Sequence, residues 1–175
     1  MTLLHGVLLA VLAQRLGELF YARRNEARLK AAGGIEHGAR HYPLFILLHG
    51  AWLVALWAWV PAAAPVNWWL LGGFAVAQLG RLWVLASLGR WWTTRIITLP
   101  GAPLVRRGPY RYVRHPNYLI VVAEIALLPL AFGAWEIAVA FSLLNALLLA
   151  WRIRIEDRAL ADRRTAGALS GAAGK

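Results

Sequence analysis

Five apolar segments constrain the fold of this chain more than any other feature. They cover about residues 3–21, 42–60, 68–88, 117–132 and 135–155, and a helix needs about 20 apolar residues to cross a bilayer. Hydrophobic residues make up 60% of the sequence, a larger share than soluble domains have. The sequence therefore predicts an all-α polytopic membrane protein with five transmembrane helices. The last two form a helical hairpin.

The charged residues between these segments predict an orientation. Arginine and lysine are concentrated after the first segment, between the third and fourth, and after the fifth, whereas residues 61–67 and 133–134 contain none. By the positive-inside rule, the amino terminus lies outside, the carboxyl terminus lies in the cytoplasm, and residues 90–116 form a cytoplasmic connector. We expect one membrane domain over residues 1–165 and a mobile tail over 166–175.

The net charge of +11 follows from the same distribution. Basic loops favour the anionic headgroups of the cytoplasmic leaflet, so the partner that we expect is membrane lipid and not nucleic acid. The chain has no cysteine, which excludes disulfides, thiolate metal sites and cysteine nucleophiles. We expect no metal site. No P-loop or glycine-rich strand-to-helix motif is present, which argues against a soluble nucleotide fold. The oligomeric state stays open.

The connector contains the most unusual polar stretch, GPYRYVRHPNYL over residues 108–119. Prolines at positions 100, 103, 109 and 116 prevent a long helix there. Irregular backbone beside a membrane leaves amide groups free for a polar ligand, although an ordinary connection would have the same pattern.

Polar residues also mark the cytoplasmic ends of the last two segments. Asn145, Arg152 and Glu156 are spaced to share one face of the fifth segment. Because the two segments are antiparallel neighbours, a polar pocket should form where their ends meet the connector. Its expected members are Arg114, His115, Asn117, Arg152 and Glu156.

Glu124 lies about 10 Å deeper than Asn117 on the same face of the fourth segment. An ionisable residue at membrane depth is by default a functional residue. The alternative is an ion pair with Arg81 or Arg152. Arg15 and Glu18, three residues apart, predict a pair with each other.

The order LVRRGPYRYVRHPNYL, a hairpin and RIRIEDRAL resembles the isoprenylcysteine carboxyl methyltransferase family and related phospholipid methyltransferases. The first family element, Arg-His-Pro-x-Tyr, is matched by residues 114–118. The second, Arg-Ile-x-x-Glu-Glu followed by leucine, is matched at Arg152, Ile153, Glu156 and Leu160, with Asp157 in place of the second glutamate. The resemblance extends from about Leu88 onward, and the amino-terminal half matches only in hydropathy.

This resemblance implies methyl transfer from S-adenosylmethionine to a lipophilic small-molecule acceptor that enters from the lipid. Arginine and histidine donors suit the cofactor carboxylate, a glutamate suits its ammonium or ribose hydroxyls, and a tyrosine can pack on adenine or face the sulfonium. The expected cofactor-binding residues are Tyr112, His115, Pro116, Asn117, Tyr118, Arg152 and Glu156. The expected catalytic residues are Arg114, Glu124 and Arg152.

The acceptor has two possible chemistries. Family members methylate the carboxylate of a prenylated cysteine, and bacterial relatives, which the variant motif around Asn117 resembles, act on hydroxyls of long-chain phenols or pyrones. This resemblance to the bacterial branch implies a bacterial cytoplasmic membrane as the location. A carboxylate needs no base, whereas a hydroxyl must lose a proton that Glu124 could accept. Two other functions remain as alternatives: an NADPH-dependent reductase of the sterol-reductase type, and a non-enzymatic protein that binds or transports lipid.

Overall fold

The computed structural model describes residues 2–102 and 104–172, with side chains as far as residue 161. Within these ranges the chain forms five α-helices: α1 (Leu3–Ala31), α2 (Tyr42–Trp59), α3 (Trp68–Leu88), α4 (Pro116–Ala131) and α5 (Trp135–Ala172). Two short strands, β1 (Ile35–His37) and β2 (Ile96–Thr98), pair antiparallel, with Ile35 opposite Thr98. Single 3-10 turns are formed by Ala39–His41, Gly89–Trp91 and Gly108–Arg111.

The helices have the length and composition of membrane spans. Four segments of the described chain are long and apolar enough to cross a bilayer: Leu3–Ala31, Ala39–Trp59, Trp68–Trp91 and Trp135–Ala161. The remaining helix, α4, is apolar but has only 16 residues, which is about 24 Å at the rise of an α-helix. The predicted all-α polytopic membrane fold is confirmed. The crossing by α4 and the orientation of the termini remain predictions.

Helix α4 packs between α3 and α5 in the centre of the fold. Gly73 and Gly80 on α3 face Leu127 and Ile120 of α4, and a Cβ added at Gly80 would lie 3.4 Å from the Ile120 side chain. Small residues at such positions allow two membrane helices to approach closely. The buried core on one side of α4 combines residues of α1, α2, α3 and α4, namely Leu4, Leu8, Trp52, Leu56, Phe74, Ile125 and Leu128.

The start of α4 is fixed by its sequence. Pro116 occupies the first helical position, where the missing N–H costs no hydrogen bond. The chain between β2 and α4 contains the turn Gly108–Arg111 and, among its described residues, no α-helix. The second helix of the hairpin, α5, is helical to Ala172, and residues 173–175 lie outside the described residues. The mobile tail predicted for 166–175 therefore stays a prediction.

Candidate functional site

A cavity of about 450 Å³ lies where the connector between α3 and α4 meets the start of α4 and the middle of α5. We call it the main cavity. Its volume is within the range of small-molecule sites. One part of its wall is apolar and is formed by Leu29, Leu88, Trp91, Trp92, Ile96, Ile97, Leu104, Val105 and Leu160. The polar part includes Arg95, Arg106, Tyr110, Arg114, His115, Asn117, Tyr118, Arg152 and Glu156.

The structure brings most of the predicted site residues together in this wall. All five members of the predicted polar pocket line it, and Tyr118 joins them. Pro116 is buried at the start of α4 but is not part of the lining. Tyr112 is 76% exposed and lies outside the lining. The turn Gly108–Arg111 ends just before it, so that Tyr110 and not Tyr112 lines the cavity.

Tyr118 links the two sequence motifs. Its hydroxyl donates a hydrogen bond to the Glu156 carboxylate and accepts one from Nε of Arg152 at 2.8 Å. Nη2 of Arg152 donates to the backbone oxygen of Thr94 at 2.9 Å. The guanidinium of this largely buried arginine therefore connects α4, α5 and the connector.

His115 and Asn117 lie beside this network. The His115 ring stacks on Tyr118 with centroids 5.2 Å apart, and its Nδ1 lies 3.7 Å from Oε2 of Glu156. Its Nε2 lies 3.4 Å from Oδ1 of Asp157. The side-chain oxygen of Asn117 is buried and has no hydrogen-bond partner in the part of the chain that the structure describes. A buried acceptor of this kind normally has a partner, so a ligand donor fits at this position.

Tyr110 contributes a neutral hydroxyl to the same wall. Burial, assisted by the negative charge of Glu156, raises the pKa of Tyr110. The side chain therefore keeps its proton at neutral pH and can both donate and accept a hydrogen bond.

Ionic contacts from α1 and β1 hold β2 and the start of the connector in place beside the main cavity. The sequence did not reveal these contacts. Nη1 of Arg95 lies 2.5 Å from the Glu36 carboxylate, and the Thr94 hydroxyl donates to Glu26 at 3.0 Å. Burial acts to raise the pKa of Glu36, but hydrogen bonds from Lys30 and Arg95 outweigh it and hold that pKa below its usual range. The hydrogen bond with Glu36 raises the pKa of Arg95. These pairs fix β2, which lines the cavity, to the amino-terminal half.

His41 is a second contributor that sequence reasoning missed. It is 2% exposed, and its Nε2 lies 3.5 Å from Nη1 of Arg152. Since an arginine always donates, the imidazole nitrogen that faces it is the acceptor. Gly38 has a φ of +63°, and a Cβ there would lie 2.6 Å from the His41 ring. Nothing in the sequence marked the contact between His41 and Arg152, because these residues are 111 positions apart.

Glu124 lies in a separate buried cluster and not in the lining of the main cavity. Its Oε1 accepts from Nε of Arg81 at 2.7 Å, and its Oε2 contacts Nη2 of Arg81 and, at 2.5 Å, Nη2 of Arg15. Glu18 completes the cluster, 2.9 Å from Arg15 and 3.3 Å from Arg81. Of the two arginines considered as alternative ion-pair partners of Glu124, Arg81 is the one that contacts it, and the expected pair of Arg15 with Glu18 is confirmed. Two positive and two negative groups balance each other inside the membrane domain, as buried charges require.

Comparisons with known proteins agree with the motif resemblance. The family model of the isoprenylcysteine carboxyl methyltransferase (ICMT) family matches residues 69–162. "Uncharacterized protein YpbQ" of Bacillus subtilis is 43% identical over 163 residues, which cover 89% of this chain and 96% of that protein. An "Uncharacterized protein" of Haemophilus influenzae is 30% identical over 161 residues, which cover 86% and 90% of the two chains. No solved structure matches the chain significantly.

The family match runs from α3 to the part of α5 that carries Glu156, and so includes both motifs and all the polar residues in the wall of the main cavity. Together with the apolar helices, it shows that this chain belongs to the isoprenylcysteine carboxyl methyltransferase family of membrane methyltransferases.

Proposed function

We propose that the protein transfers a methyl group from S-adenosylmethionine to a carboxylate oxygen of a lipophilic acceptor in the membrane. The observation that carries this proposal is the convergence of both family motifs on one cavity of suitable size. The acceptor reaches the apolar wall from the lipid, and the cofactor reaches the polar wall from water. Family membership shows a membrane methyltransferase. The cofactor and the acceptor are inferred from the cavity.

The polar wall suits the groups of S-adenosylmethionine. Arg114 and His115 offer donors for its carboxylate, and Glu156 offers an acceptor for its ammonium or its ribose hydroxyls. The buried oxygen of Asn117, which has no partner in the described chain, can accept from an amino group. When bound, the cofactor supplies an electrophilic methyl group. The network of Tyr118, Arg152 and Glu156 holds the wall rigid, and in such a displacement positioning contributes most of the rate.

The charges of the wall favour an acceptor that is already ionised. Arg106, Arg114 and Arg152 line the cavity, and Glu156 is the acidic residue among its described lining. A cationic cofactor and several arginines in one cavity repel each other unless an anion enters as well. A carboxylate acceptor provides that anion, and its oxygen attacks without losing a proton.

A hydroxyl acceptor would need a base, and neither Glu156 nor Glu124 has a carboxylate free of other contacts. Glu156 already accepts from Tyr118. Glu124 accepts from both Arg81 and Arg15 and is 1% exposed. Since a carboxylate paired in this way is a poor proton acceptor, these contacts support the carboxylate over the phenol or pyrone hydroxyl.

Binding of S-adenosylhomocysteine to the purified chain, measured by isothermal titration, tests the cofactor assignment. Glu156→Gln and His115→Ala should each weaken binding about tenfold or more, because each removes a charge-assisted contact. Glu136→Gln, at an exposed position in the first turn of α5, is the matched control and should leave binding unchanged. Binding of NADPH without binding of S-adenosylhomocysteine would refute the proposal in favour of a reductase.

The acceptor can be identified from lipid extracts of cells with and without the gene. The extract from cells that lack it should accept labelled methyl groups when the purified protein and S-adenosylmethionine are added. Mild alkali should release the label, because a methyl ester hydrolyses under conditions in which a methyl ether does not. A label stable to alkali would show that the acceptor is a hydroxyl.

We also propose that the main cavity opens to the cytoplasm, with the amino terminus outside. The basic residues around the cavity support this orientation. Since the chain has no native cysteine, single cysteines can be introduced at Ala63 and Ala102. The first should react with an impermeant reagent in intact cells, and the second only after permeabilisation. The reverse pattern would contradict the orientation.

A further inference from the structure

Three arginines surround a second cavity at the end of α3. This cavity, of about 560 Å³, is lined by Arg90, Trp91, Leu104, Val105, Arg106 and Arg107. We call it the arginine cavity. Four of its lining residues, Trp91, Leu104, Val105 and Arg106, also line the main cavity. The two cavities therefore adjoin each other through a shared wall.

The backbone that carries two of these arginines is packed tightly against α3. Nε of Arg107 donates to the backbone oxygen of Ser87 at 2.7 Å. Gly108 has a φ of +57°, and a Cβ at this position would clash with the Ser87 side chain and lie 3.2 Å from Nε1 of Trp83. Only glycine allows this approach. This contact fixes Arg107 and the adjoining backbone against α3, while the side chains of all three arginines are exposed.

The charge of this cavity is not balanced by the protein. Its described lining contains no acidic residue, and no ion pair of the described residues includes Arg90, Arg106 or Arg107. Arg95, a few residues away, has two carboxylate partners. Like charges that are gathered around one cavity repel each other, and an anion with several oxygens relieves this repulsion by accepting from more than one guanidinium.

The surroundings of the cavity indicate which anion fits. The cavity lies at the end of the candidate span Trp68–Trp91, in which α3 carries exposed apolar side chains at Leu79, Leu82 and Trp83. A phospholipid has its phosphodiester at this level and its acyl chains along such a face. We propose that the arginine cavity binds the phosphodiester headgroup of an anionic phospholipid. The bound lipid would form part of the entrance to the main cavity, at the wall that both cavities share.

The test measures lipid binding to the full chain in neutral detergent by native mass spectrometry, with phosphatidylglycerol and phosphatidylcholine of equal chain length. Each arginine near an anionic headgroup is worth about a fivefold gain in affinity. Arg90→Gln/Arg106→Gln should therefore weaken phosphatidylglycerol binding about 30-fold. Arg107 is left intact because it also contacts Ser87. The control pair Arg23→Gln/Arg24→Gln removes the same charge from exposed positions on α1 and should have little effect.

Other outcomes would overturn the proposal. Equal affinity for the two lipids would remove the anionic specificity, and an equal loss in the control pair would indicate diffuse surface charge. Displacement of phosphatidylglycerol by millimolar glycerol phosphate would identify a site for a soluble anion. Arg90→Lys/Arg106→Lys keeps both charges and should retain most of the binding, so a loss as large as in the glutamine pair would mean a disturbed loop. The measurement needs neither cofactor nor turnover, so it stands or falls separately from the methyltransferase proposal.

Discussion

Replacement of Glu124 by glutamine should reduce stability and not chemistry. The carboxylate lies between Arg81 and Arg15, and the substitution keeps its shape while removing its charge. The new amide group would also bring a donor against guanidinium donors. A functional general base would give the opposite result, since the loss would then appear in turnover.

The expected size of the effect follows from the contacts. Breaking a buried ion pair by removal of one partner costs about 3 to 5 kcal/mol, because the other charge is left uncompensated. Arg81 is 2% exposed but keeps Glu18 at 3.3 Å, so the cost should be near the lower limit, about 3 kcal/mol. For a chain of this size, that corresponds to a decrease in Tm of about 6 to 12 °C.

Thermal unfolding in detergent, followed by circular dichroism, measures the decrease, with Glu136→Gln as a matched substitution at an exposed site. The double variant Glu124→Gln/Arg81→Met removes both charges of the pair. It should recover part of the lost stability, because Arg15 and Glu18 still balance each other. The reasoning would be refuted by an unchanged Tm together with a turnover about 100-fold lower that recovers at high pH, which is the behaviour of a missing base.

Two further predictions concern the main cavity. Tyr118→Phe removes the hydroxyl between Arg152 and Glu156, so the affinity for S-adenosylhomocysteine, measured by titration, should fall about tenfold. The control variant Tyr112→Phe should bind normally. Equal affinities of the two variants would show that the Tyr118 hydroxyl is not needed. Gly38→Ala introduces both an unfavourable φ and a clash with His41, so it should lower Tm and cofactor affinity together. An unchanged Tm and affinity would show that the packing of His41 on Gly38 does not matter.

The sequence predicts the helices well because their signal is local. Each predicted apolar segment lies within one helix or extends beyond it by a single residue, since membrane-spanning helices need long runs of apolar residues. The helix α1 extends ten residues beyond the predicted segment, to Ala31. Its last turns are polar and contact the connector through Asn25 and Glu26. Hydropathy reveals where a helix crosses lipid but not where it ends in water.

The candidate site is predictable where two motifs lie on neighbouring helices. Arg152, Glu156 and Tyr118 meet because an antiparallel hairpin brings the two ends together. The contacts of Arg95 and His41 could not be predicted in this way, because they depend on how α1, β1 and α2 pack on the connector. Strands of three residues have no detectable periodicity. The partner of Glu124 was predicted only as one of two arginines, since the neighbours of a helix are a tertiary property.

The shortness of α4 has a consequence for the surrounding lipid. A helix of about 24 Å is several ångströms shorter than the hydrocarbon core of an average bilayer. If α4 crosses the bilayer as the sequence predicts, this hydrophobic mismatch is relieved when the adjacent leaflets become thinner. Because the cavity wall lies at the first turn of α4, such thinning would occur beside the cavity mouth. The reacting end of an amphiphile anchored at the headgroup level would then be nearer the protein interior without leaving its own leaflet.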